Sequence, residues 1–117
     1  MNNMQDWNGY RDALFGRIGD YAALSRDVLR GLHTIEGSAG KTGKLEPKIH
    51  ELIALAVAVT TRCDGCISVH AKKAIELGAT KEEVAEALGT AIALNTGAAL
   101  VYSARVFDAI AALPEAG

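Results

Sequence analysis

Apolar residues recur every three or four positions along most of the chain, which is the spacing of amphipathic helices. In the first third this pattern predicts one helix over about 6–18 and a second over about 20–35. The first face carries Trp7, Tyr10, Leu14 and Ile18, and the second carries Tyr21, Leu24, Val28, Leu32 and Ile35. Residues 37–44 hold three glycines and no large apolar residue, so we expect a loop there.

The rest of the sequence predicts four more helices, several with recognisable ends. The third begins at Pro47, a residue suited to the first helical turn, and runs to about residue 61. The fourth begins at a pair of cysteines and ends before Gly78, which suits the position after a helix. Thr80 and Glu83 have the spacing of a capping box that starts the fifth. A break at 95–97 separates it from a sixth, which ends near residue 112.

Composition supports an all-α fold. Half the residues are apolar but only 5% are aromatic, and no segment alternates as an exposed strand would. We therefore expect a bundle of about six helices forming one domain over 1–117. The net charge of −2 provides no basic surface, so nucleic-acid binding is not expected. No apolar signal region follows the N-terminus, which favours a cytoplasmic location.

The longest uncharged stretch raises the question of a membrane span. Residues 87–104 carry no charge, but they include two glycines and the polar residues Thr90, Asn95, Thr96 and Ser103. We therefore expect a buried helix, or two meeting near Gly97, and no membrane partner. A domain this small cannot cover such helices on all sides, which predicts a homo-oligomer.

Candidate chemistry is concentrated in four residues: Glu51, Cys63, Cys66 and His70. Cys63 and Cys66 can form a disulfide across one turn if Cys63 starts a helix, where backbone N–H groups favour thiolate over thiol. His70 lies one turn beyond Cys66 and can exchange a proton with it. Gly65 has no side chain and would keep the space between the two sulfurs open. One thiolate would attack, the other would resolve the product, and the imidazole would carry protons.

Glu51 joins this group only if the chain reverses near Arg62. An antiparallel fourth helix would bring Glu51 back towards the turn that holds Cys66 and His70. Direct contact and a water bridge are both open at this stage.

The sequence allows three other interpretations, two of the cysteines and one of a glycine-rich segment. Cys63 and Cys66 could be half of a zinc site, although only Glu51, His50 and His33 could complete it and none has the spacing of a zinc finger. The cysteines could also be inert core residues. Residues 37–42 resemble the end of a phosphate-binding loop, but the spacing is two residues short and a helix precedes it. We expect no bound metal and no cofactor.

Residues 47–107 resemble the carboxymuconolactone decarboxylase superfamily, and within it the AhpD-like alkyl hydroperoxidases. The resemblance rests on Lys48–Ala56, on Cys63–His70 and on Ala74–Val84. A glutamate followed by a cysteine twelve residues on, a second after three more and a histidine after four is the pattern of the AhpD-like branch.

This resemblance implies an all-helical subunit that assembles as a homotrimer or homohexamer. It also implies a hydroperoxide substrate, with Cys66 forming a sulfenic acid that Cys63 resolves to a disulfide. Glu51 and His70 would belong to the proton relay. A dithiol or a lipoyl protein would then reduce the disulfide.

One departure from the family pattern qualifies that expectation. Some AhpD proteins carry a histidine between the cysteines, where this chain has Asp64 and Gly65. A shorter relay and a weaker peroxidase are therefore expected. Two other functions stay open: a decarboxylase-type lyase, whose true members work without a cysteine pair, and a non-enzymatic redox-sensing oligomer.

Overall fold

The computed structural model describes residues 2–115, and within that range the protein is built from helices, without a strand. The five helices are α1 (Trp7–Leu24), α2 (Arg26–Ala39), α3 (Pro47–Thr61), α4 (Asp64–Glu76) and α5 (Lys81–Ala111). The expected all-α class is confirmed.

Several helix ends follow the sequence signals. The Asp6 side chain accepts a hydrogen bond from the Gly9 N–H at 3.1 Å and caps α1. After α4, Gly78 adopts φ +90, and the next N–H, of Ala79, donates to the Ala74 carbonyl at 2.9 Å. Glycine fits this left-handed turn because it has no Cβ. Thr80 and Glu83 form the predicted capping box.

Three predicted helix boundaries were wrong. Helix α2 continues to Ala39, so the first three residues of the loop predicted over 37–44 are helical. Helix α1 continues through Gly19 to Leu24, and the chain breaks at Ser25, whose φ of −147 and ψ of 73 are not helical. The fifth and sixth predicted helices are one helix, α5, with no break at 95–97. There the Asn95 amide donates to the Ala91 carbonyl at 2.7 Å and Thr96 Oγ1 donates to the Ile92 carbonyl at 2.8 Å. These polar side chains are satisfied within the helix, and one glycine weakens a helix without ending it.

The centre of the molecule is formed by α3, α4 and α5. Helices α3 and α4 form a hairpin. Helix α5 runs parallel to α3, as two side-chain contacts show: Lys48 pairs with Glu83 at 2.9 Å, and Thr60 with Asn95 at 2.8 Å. Their buried contacts are made by Leu55 and by small residues, with Ala74 fully buried, so the helices approach closely. By contrast, α1 and α2 contain no buried residue.

The single chain is far from compact. Its radius of gyration is 19.4 Å, whereas a compact chain of this length has about 13 Å. Its accessible surface is 9401 Å², about half as much again as the roughly 6,100 Å² typical of this mass.

The second half of α5 contributes much of that surface. Leu100, Val101 and Tyr102 are 75%, 74% and 69% exposed. Consecutive helical residues point about 100° apart, so this chain covers no side of the helix there. Among the described residues, α5 is the one helix long and apolar enough to cross a membrane, with 6% of the relevant stretch buried. Length and composition alone are weak signs of a span.

Candidate functional site

The site begins at the sharp reversal between α3 and α4. Arg62 ends α3 in the left-handed conformation, with φ 55 and ψ 52, and the Cys63 N–H donates to the Ala58 carbonyl at 3.0 Å. This reversal makes Cys63 the residue that caps α4 and turns α4 back along α3.

Cys63 and Cys66 are joined by a disulfide across the first turn of α4, with their Cα atoms 5.2 Å apart. The Cys66 N–H also donates to the Cys63 sulfur at 3.1 Å. Both residues are partly exposed. Because Cys63 caps the N-terminus of α4, the helix stabilises negative charge on its sulfur once the disulfide is reduced.

Glu51 and His70 are brought into direct contact across the α3–α4 hairpin. His70 Nδ1 donates to Glu51 Oε2 at 2.6 Å, which excludes the water bridge left open by the sequence. The Glu51 side chain is 15% exposed and that of His70 is 32% exposed. An ionised carboxylate can only accept, so this contact keeps a proton on Nδ1 and leaves Nε2 free for exchange.

The four predicted residues are divided between two adjoining cavities. The first, called here the cysteine cavity, has a volume of about 720 Å³ and is lined by Cys63, Cys66 and His70 together with residues of α1 and α2. The second has about 730 Å³ and is lined by Glu51, His50 and His70, among others. His70 therefore faces both spaces, with Glu51 on the side away from the cysteines.

Helix α1 supplies a part of the site that the sequence did not indicate. Arg11 Nη1 donates to Ser68 Oγ at 2.9 Å and Nη2 donates to Asn8 Oδ1 at 2.7 Å. Ser68, on the cysteine helix, is 5% exposed. One signal was available: Arg11 lies four residues after Trp7 and three before Leu14, on the apolar face of α1.

Gly65 has a different role from the one expected. We predicted that its missing side chain keeps space open between the sulfurs. The space is instead taken by α1, since a Cβ on Gly65 would lie 2.5 Å from Leu14 Cδ2. Gly65 thus permits α1 to lie close against the start of α4.

The remaining histidines are separate from this pair. His33 lines the cysteine cavity and His50 lines the second cavity. Within residues 2–115, no group of three or more His, Cys, Asp or Glu side chains is placed to hold a metal ion.

Fold and site together define an all-helical protein with a disulfide at the start of one helix and a paired carboxylate and imidazole beside it. The sequence model of the carboxymuconolactone decarboxylase family matches residues 26–109. The chain belongs to that family.

The chain is also similar to individual proteins. An uncharacterized protein from Haemophilus influenzae is 44% identical, covering 89% of this chain and 92% of its own length. Another from Cupriavidus necator is 32% identical, covering 82% and 85%.

Two solved structures are similar to the chain, and one of them carries the same family name. A carboxymuconolactone decarboxylase family protein from Legionella pneumophila, in its apo form, is 31% identical with a TM-score of 0.71, covering 88% of this chain and 92% of that one. A protein from Methanobacterium thermoautotrophicum is 32% identical with a TM-score of 0.62, covering 68% and 92%.

Proposed function

We propose that this protein is a thiol-dependent peroxidase, or disulfide oxidoreductase, that reduces hydroperoxides through Cys63 and Cys66. The observation that supports it best is the disulfide at the N-terminus of α4 with the Glu51–His70 pair beside it. A bond between partly exposed sulfurs at a helix start is open to thiol exchange, which a buried structural disulfide is not.

The first half of the proposed cycle oxidises the dithiol. The Cys66 thiolate attacks the terminal oxygen of the hydroperoxide, the O–O bond breaks, and the alkoxide takes a proton to leave as an alcohol. Cys63 then attacks the sulfenic sulfur of Cys66, forming the disulfide and releasing water. His70 Nε2 supplies and recovers the protons, and Glu51 holds the ring in the required tautomer and stabilises its charged form.

The second half restores the dithiol and needs an external reductant. A dithiol such as a lipoyl group attacks one sulfur of the disulfide, and the other leaves as a thiolate. A second attack releases the oxidised donor and leaves Cys63 and Cys66 reduced. The donor's two electrons balance those taken by the hydroperoxide.

The same chain is proposed to act as a homo-oligomer, as a trimer or a hexamer. The surface in excess of a compact monomer is about 3,300 Å², which exceeds the roughly 1,000–2,500 Å² that each partner buries in many obligate interfaces. Copies of this chain would cover the exposed second half of α5, which also contains hydroxyl and amide side chains. This favours assembly in solution over a membrane span and agrees with a cytoplasmic location.

Steady-state turnover of cumene hydroperoxide with dihydrolipoamide tests the proposed activity. We expect turnover in the unaltered protein and its loss in Cys66→Ser. Unchanged turnover in that variant would overturn the proposal. The family name also suggests a lyase, and decarboxylation of a muconolactone that survives loss of both thiols would favour that function instead.

A further inference from the structure

The cysteine cavity has a wall that belongs to neither the cysteine helix nor the Glu51–His70 pair. Tyr10, Leu14, Phe15 and Ile18 of α1 line it, and α2 adds Leu29 and Leu32. The family sequence model matches residues 26–109, so α1 lies outside the matched segment. The α1 part of the wall therefore lies outside the segment on which the family assignment rests, whereas Leu29 and Leu32 lie inside it.

This wall is fixed to the cysteine helix at two points. Arg11 donates to the nearly buried Ser68 Oγ at 2.9 Å and to the Ser68 carbonyl at 3.4 Å. Leu14 occupies the space over Gly65, between the two cysteines in sequence. Together these contacts set the distance between α1 and the first turn of α4.

Two of the four α1 side chains in the wall, Phe15 and Ile18, are exposed, whereas Tyr10 and Leu14 are half-buried. Phe15 is 52% exposed, so its ring contributes to the cavity more than to the core. Charges around the cavity are balanced, with Arg62 and Lys73 against Glu36 and Asp64. The cavity therefore offers apolar contact to a substrate without favouring either sign of charge.

From this arrangement we infer that α1 selects the substrate, with Phe15 and Ile18 as specificity-determining residues that favour hydroperoxides carrying a bulky apolar group. Arg11 and Ser68 are positioning residues that hold this wall over the cysteine pair. The inference rests on the proposed peroxidase function and adds to it which peroxides are preferred. Hydrogen peroxide has no apolar group, so its reaction depends on Cys66 and His70 and not on the wall.

The experiment compares kcat/KM for cumene hydroperoxide with kcat/KM for hydrogen peroxide in each variant. Phe15→Ala and Ile18→Ala should lower the value for cumene hydroperoxide by about tenfold, mainly through KM, because a lost apolar contact of this size costs roughly that factor. The value for hydrogen peroxide should change less than twofold. Leu24→Ala, at the 90% exposed end of the same helix and outside the cavity, is the control and should change neither.

The positioning residues are tested with the same ratio. Arg11→Met removes the donor to Ser68 and should lower the preference for cumene hydroperoxide, while Arg11→Lys keeps a donor and should restore part of it. A purely structural role would lower both activities together and leave the ratio unchanged, which would overturn this part of the inference.

The failures of the two proposals give different results. If the unaltered protein turns over both peroxides and the ratio is the same in Phe15→Ala and Ile18→Ala, the selection by α1 is wrong while the peroxidase function stands. If those variants change the mass of the assembly instead of the ratio, the wall is an interface between copies and the inference is overturned. If the unaltered protein turns over neither peroxide, the peroxidase function is overturned and this inference with it.

Discussion

Glu51 and His70 are 19 residues apart in sequence, yet Glu51 Oε2 lies 2.6 Å from His70 Nδ1. The contact crosses the α3–α4 hairpin and depends on the reversal at Arg62, which adopts φ 55. Glu51, which lines the second cavity, holds the His70 ring through Nδ1 and leaves Nε2 free. In the proposed cycle, a proton that His70 takes from the cysteine side would be stabilised by Glu51.

The first prediction concerns this pair. His70→Gln should lower kcat/KM for cumene hydroperoxide by about a hundredfold or more, because general acid–base groups contribute at least that factor. Glu51→Gln should cause a smaller fall, since glutamine can still accept from Nδ1 but no longer stabilises the imidazolium. His50→Gln, on the neighbouring position of α3, is the control and should have little effect. Equal activity in all three variants would remove the pair from the mechanism.

The second prediction separates the roles of the two sulfurs. Cys63→Ser should react once with a hydroperoxide and keep a sulfenic acid on Cys66, detectable as a dimedone adduct by mass spectrometry. Cys66→Ser should form no adduct, because Cys63 is assigned the resolving step. The chain has two cysteines, so each variant retains one and its product has a single possible site. An adduct on Cys63 instead would reverse the assignment.

The hydrogen bond from the Cys66 N–H to the Cys63 sulfur makes that comparison informative. It favours thiolate on Cys63, whereas the spacing of four residues links Cys66 to His70. Cys63 is therefore suited to leave as a thiolate when the disulfide is reduced, and Cys66 to exchange a proton when peroxide is bound. When a monothiol attacks the disulfide of the oxidised, unaltered protein, a mixed disulfide trapped on Cys66, with Cys63 released as the thiolate, would agree with this division.

The third prediction concerns pH and the attachment of α5 to α3. Lys48 donates to Glu83 at 2.9 Å, which lowers the pKa of Glu83 from 4.5, with help from the Thr80 N–H. The same hydrogen bond and the charge of Glu83 raise the pKa of Lys48 from 10.5. The Glu83 carboxylate stabilises the folded state above its unfolded pKa, and this contribution is lost as pH falls through its lowered folded pKa. The ammonium's contribution is present below its unfolded pKa and lost as pH rises through the raised value.

The pair should therefore stabilise the fold between about pH 5 and pH 10, and its contribution to stability should be lost at lower and at higher pH. Glu83→Gln should lower the urea midpoint at pH 7 and have a smaller effect at acid pH, once the pH has fallen through the lowered pKa of Glu83. Glu82→Gln, in the same first turn of α5, is the control because no ion pair involves Glu82 within residues 2–115. A loss that is the same at both pH values would mean that the ion pair contributes nothing measurable.

The sequence predicted most of the fold because its signals are local. Helical spacing, Pro47, Gly78 and the Thr80–Glu83 capping box act within one or two turns, and each helix end that they mark is confirmed. Local signals also explain why the break at Ser25 and the continuity of α5 were missed. Glycine lowers helix propensity, but neighbouring turns decide whether the helix stops.

The candidate site was predictable only where its residues share one helix. Cys63, Cys66 and His70 could be placed together from their spacing, and Glu51 followed once a reversal was assumed. Arg11 and Leu14 could not be placed, because their partners lie more than fifty residues away and the packing of α1 on α4 is a tertiary property. The role of Gly65 was misjudged because its neighbour comes from α1.

The fourth prediction concerns assembly. Val101→Lys places a charge on the uncovered half of α5 and should convert the oligomer to smaller species in size-exclusion chromatography with light scattering. Leu24→Lys, on a more exposed position of α1, should leave the mass unchanged. A monomeric unaltered protein, soluble without detergent, would contradict the proposed oligomer.

The most direct measurement is a count of free thiols in the reduced protein before and after one equivalent of cumene hydroperoxide, without oxygen. The account predicts that two thiols per chain fall to none, that the chain mass drops by two hydrogens, and that dihydrolipoamide restores both thiols. It further predicts that Cys66→Ser keeps its single thiol under the same treatment. Two thiols that survive the peroxide in the unaltered protein would contradict the account at its centre.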